Sequence, residues 1–312
     1  MIKFAKLLSS LVVFAAIVPA AHPAQASPAD SKVPVTTVVS VLGPDYSAPP
    51  ALGKSDVVVY TGKTREDVTQ WDPAQGEKAA LQLAILIDDG THLGPQLNDL
   101  RNFVQTQPKD TAIGVFYSMN GSLLPETVRF TTDHDAAGKQ VRLTTGTTGI
   151  STSMYLALME LMSKWPATTA RREILVIGDG IDRYRGDPDS PDVQSTITKA
   201  QKAGIIIHTL FARVADAESR NMIRVTYGQA NLGQMAYETG GEAFFQGLDT
   251  PVAFAPFLDK LDMVLHNQYL LTFTTDRGTR RSAEFRKLRI NTEQKNVYIS
   301  APDGVWVSGA AK

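Results

Sequence analysis
This chain of 312 residues contains no cysteine. No disulfide can form and no cysteine can carry a lipid, so stability has to come from an ordinary packed core. An excess of charge of one sign is missing too, with 31 Lys and Arg against 32 Asp and Glu. Such a balance gives no electrostatic footprint for nucleic acid or for an anionic membrane surface. After the first 26 residues, no apolar run is long enough to cross a bilayer. Short catalytic signatures are missing as well. There is no GxSxG nucleophile turn, no HExxH, no GxxxxGK[ST], and no GxGxxG at a strand end. Internal repeats and low-complexity segments are absent.

What is present begins with an export signal over 1–26. Lys3 and Lys6 form its charged start, an apolar stretch its centre, and Ala24-Gln25-Ala26 its small-residue cleavage site. Cleavage there leaves no transmembrane segment and places the chain in the periplasm or outside the cell. Residues 27–78 read as an N-terminal linker and β segment. They include a Val- and Thr-rich strand over 33–42 and a short strand over 56–60, followed by a turn at Thr61-Gly62-Lys63.

Residues 79–267 alternate between strand and helix patterns. Strands are expected at 81–87, 111–117, 173–178, 205–211 and 242–245, with an edge strand at 127–132. Helices are expected after the first strand, with Leu97, Leu100, Phe103 and Val104 on one face, then over 152–165, 192–203 and 251–265. A further helix ends at Thr239-Gly240-Gly241. Tyr155, Leu158, Met159, Met162 and Trp165 repeat at helical spacing and read as core. This alternation predicts an α/β fold, a doubly wound and mostly parallel sheet flanked by helices. Residues 268–312 read instead as successive strands at 268–274, 283–291 and 297–300. With the N-terminal strands they predict a small β-rich extension.

Three loops at strand ends gather polar residues: Asp88-Asp89-Gly90-Thr91-His92, the run TTGTTGISTS over 144–153, and Gly178-Asp179-Gly180-Ile181-Asp182. In a parallel sheet all three open on one edge, where such folds bind their ligands. Carboxylates from the first and third loops and a hydroxyl from the second would make an oxygen site suited to Mg²⁺, Mn²⁺ or Ca²⁺. The order of these loops, with Ala203-Gly204-Ile205-Ile206-Ile207-His208-Thr209-Leu210 and LGQMAYETGG over 232–241, resembles a von Willebrand factor type A (VWFA) domain. The segment Asn267-Gln268-Tyr269-Leu270-Leu271 with its β-rich tail is similar to a subgroup of exported bacterial VWFA proteins.

The resemblance implies a protein-interaction module of adhesion or scaffold type that is not an enzyme. It would bind an unknown protein partner, with no nucleic acid, through a metal-ion-dependent adhesion site. The matching metal positions are Asp88, Thr152 and Asp179. The two serines of the family's DxSxS pattern fall on Gly90, which has no side chain, and on His92, a nitrogen ligand, so the site is degenerate. Asp89 or Thr91 would have to compensate. Partner contacts would come from Asp88, Thr91, Thr152, Asp179 and Asp182, with one coordination place left for a partner carboxylate.

Other readings stand beside this one. A metal-free scaffold would make its contacts through the β-rich ends. A hydrolase would use Asp88 and Asp179, but the DGT of Asp89-Gly90-Thr91 puts Ile87 where an aspartate nucleophile belongs. Asp182, Asp187, Asp189 and Asp192 either bind calcium or, more plainly, form a solvated loop that caps the next helix. Arg185-Gly186-Asp187 spells an adhesion tripeptide in a polar loop. The basic run over 277–289 reads as the wet face of a hairpin.

Overall fold
The computed structural model describes residues 32–146, 153–183, 192–216 and 220–309. Two sheets organise them. The first holds six strands. In chain order these are β4 (Leu81–Asp88), β5 (Thr111–Met119), β6 (Ser122–Leu124), β7 (Arg171–Gly178), β8 (Ile205–Phe211) and β9 (Ala243–Phe244). Their spatial order is β6-β5-β4-β7-β8-β9, parallel throughout except for β6.

The helices between them are α1 (Gln96–Thr106), α2 (His134–Gln140), α3 (Met154–Lys164), α4 (Val193–Ala203), α5 (Met222–Thr239) and α6 (Ala255–His266). The run LQLAILID is buried almost throughout because helices cover both faces of its strand. Leu81, Leu83, Ile85 and Ile87 share one core with Leu97 and Leu100 of α1 and Leu258 and Leu261 of α6. Ala84 and Leu86 share the other with Leu158 of α3, Ile197 of α4 and Leu232 of α5. The chain passes from β4 through α1 to β5 on one side, and later through α3 to β7 on the other. The switch in winding direction therefore falls between β4 and β7, and the crevice beyond their carboxyl ends is the natural ligand place of such a sheet.

The edge strand differs from expectation. It is Ser122–Leu124, and from 127–132 only Thr131 bridges back to Ile113. The cause is local. Asn120 and Gly121 both take positive φ, 52° and 75°, as a two-residue hairpin turn requires, so the chain reverses directly after β5. The helix α2 was not foreseen either. Asp133 caps it by accepting the Ala136 N–H at 2.9 Å.

The second sheet has seven antiparallel strands, ordered β12-β1-β10-β3-β2-β11-β13. Here β1 is Lys32–Leu42, β2 Val57–Thr61, β3 Thr64–Pro73, β10 Gln268–Asp276, β11 Glu284–Thr292, β12 Tyr298–Ser300 and β13 Gly304–Val307. The expected small extension thus has more strands than the parallel sheet. Two of them, β3 and β13, were unforeseen. The strand β3, TREDVTQWDP, buries Val68 and Asp72 partly and Glu66 and Trp71 more fully, so its polar sequence hides its pairing with both β10 and β2. This sheet has its own core, around Val39, Val41, Val59, Leu271 and Phe273.

A buried polar cluster joins the sheets at the amino ends of the parallel strands. Glu173 of β7 lies 2.8 Å from His208 Nε2 of β8 and accepts from Gln268 Nε2 of β10 at 3.2 Å. Gln268 also bonds Ser40 of β1 and accepts from Arg171. The Glu242 N–H donates to His208 Nδ1 at 3.1 Å, so that nitrogen is the acceptor and Nε2 carries the proton. His208 is fully buried, so this is polar core. The second sheet therefore sits at the end opposite the β4–β7 crevice.

Candidate functional site
The carboxyl ends of β4 and β7 bring Asp88 and Asp179 together, as the sequence predicts. Both are buried. The Asp88 Oδ1 accepts the Gly90 N–H at 3.0 Å, and its main-chain oxygen accepts the Thr91 hydroxyl at 2.7 Å. Burial, and then the neighbouring charge of Asp179, pushes the Asp88 carboxyl up to about 7. Gly178 sits directly beside it, where an added Cβ would lie 3.2 Å from the Asp88 Cβ.

Asp179 is fully buried, and its charge is matched from within the chain. Arg183, four residues on, donates from Nη1 to Asp179 Oδ1 at 3.0 Å and from Nη2 to Oδ2 at 2.6 Å. The same guanidinium donates from Nε and Nη2 to Asp216, and from Nη1 to the Ile181 carbonyl at 3.0 Å. All five of its N–H groups therefore have acceptors. Burial alone would lower the Arg183 pKa, but the hydrogen bonds to Asp179 and Asp216 outweigh it and raise the pKa above the ordinary arginine value. The Asp179 Oδ1 also accepts the Ile181 N–H at 3.0 Å.

Asp89, adjacent to Asp88, is 0% exposed and points elsewhere. Arg142 grips it with Nη1 at 2.8 Å and Nη2 at 3.1 Å, and the Thr145 N–H adds a third bond at 3.1 Å. The Arg142 guanidinium also stacks on the Tyr117 ring, 3.8 Å from its centroid. Its hydrogen bonds to Asp89 raise its pKa. Thr91 is buried and pairs with Val214, while the Gly90 carbonyl accepts the Ala215 N–H. His92 is exposed, and its ring lies against Gly146. Asp182 is half-buried.

Thr152 lies outside the described residues, as do Arg185, Gly186, Asp187 and Asp189. Asp192 caps α4 in a reciprocal box with Ser195, as expected of that loop. The sequence reading missed Arg142, Arg183 and Asp216, the partners of its own candidate carboxylates.

A close approach of α5 holds the third loop in place. An added Cβ at Gly228 would meet the Asp179 carbonyl at 2.1 Å, and one at Gly180 would meet the Gly228 carbonyl at 2.2 Å. Only glycine fits at both positions, and Gly180 also has φ +70°. Tyr155 and Asn231 donate to the Gly180 carbonyl at 2.8 and 3.2 Å.

The described donors do not fit a divalent cation. Among the described residues, no three His, Asp or Glu side chains are grouped so as to hold one. Asp179 is bonded on both oxygens, Asp89 is turned to Arg142, and Gly90 and His92 supply no oxygen. A dication about 4 Å from the Arg183 guanidinium would meet roughly 8 kcal/mol of repulsion at an effective dielectric near 20.

Fold and site thus define a doubly wound α/β domain in which two strand-end carboxylates, Asp89 and Asp179, are paired with arginines while Asp88 is not. No family model matches the chain, and no curated protein does. Among solved structures, it is similar to an aerotolerance-related membrane protein from Bacteroides fragilis. That match has TM-score 0.42 and 14% identity, covering 60% of this chain and 98% of that one. It is similar also to the conserved hypothetical protein BatB from Bacteroides thetaiotaomicron, with TM-score 0.42 and 13% identity over 59% and 98% of the chains. A third is human COPII-coat protein Sec24c, with TM-score 0.41 and 8% identity over 77% and 44%. Likeness at this level says nothing about activity.

Proposed function
We propose that this chain is an exported, non-enzymatic protein-interaction module of the VWFA type, binding a partner protein through the strand-end loops around Asp88 and Asp179. The observation that carries the reading is the interlocked edge itself. Loops after β4, α2, β7 and β8 bond to one another there. The Gly146 N–H donates to the Asp89 carbonyl, the Ala215 N–H to that of Gly90, and Arg183 to Asp216. A preorganised edge of loops on a rigid sheet suits recognition. Its rim carries exposed apolar residues. Leu143 is 69% exposed beside Arg142, Ile223 is 68% exposed at the start of α5, and Val252 is 85% exposed after the Pro251 carbonyl that Gln96 binds. Apolar side chains left in water around a rigid edge are the composition of a docking site.

The hydrolase reading has less support. A carboxylate nucleophile or base must reach its substrate, whereas Asp179 is 0% exposed and saturated. The test is affinity capture from cell-envelope extract with the chain lacking 1–26. The expected result is that the double variant Leu143→Asp, Val252→Asp loses the partner, while Phe285→Asp on the antiparallel sheet keeps it. Loss through Phe285→Asp with retention by the double variant would move the contact to the β-rich end and overturn the proposal.

A further inference from the structure
We infer that Arg183 is the resident cation at the end of β7, tying Asp179, one of the three positions to which the VWFA resemblance assigns a divalent metal ion, to Asp216 on the neighbouring loop. The inference goes beyond the interaction role and holds whatever the partner is.

Three observations carry it. First, the geometry is that of a binding site for a cation, filled by a side chain. Asp179 reaches from the end of β7 and Asp216 from the loop after β8, and the guanidinium between them bonds both carboxylates with two N–H groups each. A divalent ion at such a place would do the same work, tying two strand-end loops to each other through their carboxylates. Second, the guanidinium is not a surface group that happens to lie nearby. Its side chain is 7% exposed and that of Asp179 1%. Its fifth N–H is used on the Ile181 carbonyl. No donor is left over for a partner's carboxylate, so the bond pattern is a closed structural one. Third, the loop sequences agree with a site that has changed its cation. Where hydroxyl ligands would stand, Gly90 gives only a main-chain N–H to Asp88, and His92 turns out to the surface beside Gly146. An arginine four residues after Asp179 supplies the positive charge instead.

The consequence is a site assembled without metal. Strand-end loops that depend on an ion loosen when it is removed. Loops tied by an arginine stay in place in chelator, and the edge is ready for its partner at any concentration of divalent ion.

The test is thermal unfolding of the whole chain lacking 1–26, after dialysis against chelator and again with 5 mM added Mg²⁺, Mn²⁺ or Ca²⁺. A site filled about a hundredfold above its dissociation constant raises the midpoint by roughly 5 °C or more. The expected wild-type midpoint is the same in chelator and in each ion, within about 1 °C. Arg183→Ala is expected to unfold several degrees lower, because it leaves two carboxylates facing each other. Added Mn²⁺ or Ca²⁺ is expected to restore part of that loss. Arg183→Lys, which keeps the charge but not the fork, is expected to fall between the two and gives the readout should the alanine variant fail to fold. A wild-type midpoint that rises with an added ion, and no longer rises in Asp179→Ala, would overturn the inference. So would Arg183→Ala and Arg183→Lys variants as stable as wild type. Neither outcome depends on a partner, so failure here is separable from failure of the interaction role.

Discussion

Replacing Asp88 by asparagine should make the protein more stable, and only above a certain pH. The carboxyl is buried at the end of β4 and faces Asp179, and its folded-state value rises from 3.8 to about 7. An aspartate raised in this way reverses the usual acid-stability pattern. Between the two values the unfolded chain has released the proton and the folded chain still holds it. Stability is therefore fully present below about pH 4 and falls as pH rises towards 7. The displacement corresponds to roughly 4 kcal/mol by pH 8.

Asparagine resembles the protonated acid in shape, and its Oδ1 can still accept the Gly90 N–H. Asp88→Asn should thus match wild type near pH 4 and gain up to about 4 kcal/mol at pH 8, which is on the order of 10 °C in midpoint for a chain of this size. The assay is thermal unfolding of both proteins from pH 4 to 8, reading the difference against pH. A variant that unfolds at or below the wild-type temperature at pH 8 would refute the reasoning. It would mean that Asp88 is ionised in the folded protein and that some cation is holding it.

The other side chains around the edge and between the sheets give sharper contrasts. Arg142→Ala strips Asp89, which is fully buried, of its two charged bonds. Because Arg142 is itself partly exposed, about 2 kcal/mol of lost stability is expected in urea unfolding. Gly228→Ala drives a methyl into the Asp179 carbonyl and should cost about 2 kcal/mol or more, with larger amide-proton shifts at 178–183 than elsewhere. Glu173→Ala leaves Arg171 buried at the junction of the two sheets. It should cost roughly 3–5 kcal/mol and lower one shared unfolding transition, whereas a transition that splits in two would mean the sheets are not coupled there.

Much of this architecture is legible in the residues. The apolar run LQLAILID ending in two aspartates marks a strand buried on both faces, and the loop positions of Asp88 and Asp179 follow from the alternation of strand and helix. The carboxyl end of β7, both ends of β8 and the glycine end of α5 follow in the same way, while β7 begins two residues earlier than expected, at Arg171. Two misses have local causes. The Asn120-Gly121 turn, a pair suited to positive φ at both positions, went unread beside the β-rich look of 127–132. The polar strand β3 loses its alternation at a register shift against β10: Glu66 and Val68 face inward two apart, but the next buried position is Trp71, three residues on.

The site itself is less legible, for a physical reason. Arg142 pairs with a residue 53 positions away and Arg183 with one 33 positions away. No periodicity reports such contacts. The Arg183–Asp179 pair is separated by only four positions, but that spacing signals contact on a helix, and this segment is a loop. A sequence shows which carboxylates reach a strand edge. Which cation meets them there is decided by the fold.

The most direct test of that last point is a titration of the wild-type chain with Mn²⁺ followed by electron paramagnetic resonance, which reads free ion. The account predicts that the free-ion signal with protein matches buffer alone up to millimolar Mn²⁺, because Arg183 occupies Asp179 and Asp216 and Arg142 occupies Asp89. Loss of one equivalent of free signal in the wild type, recovered in Asp179→Ala, would contradict it.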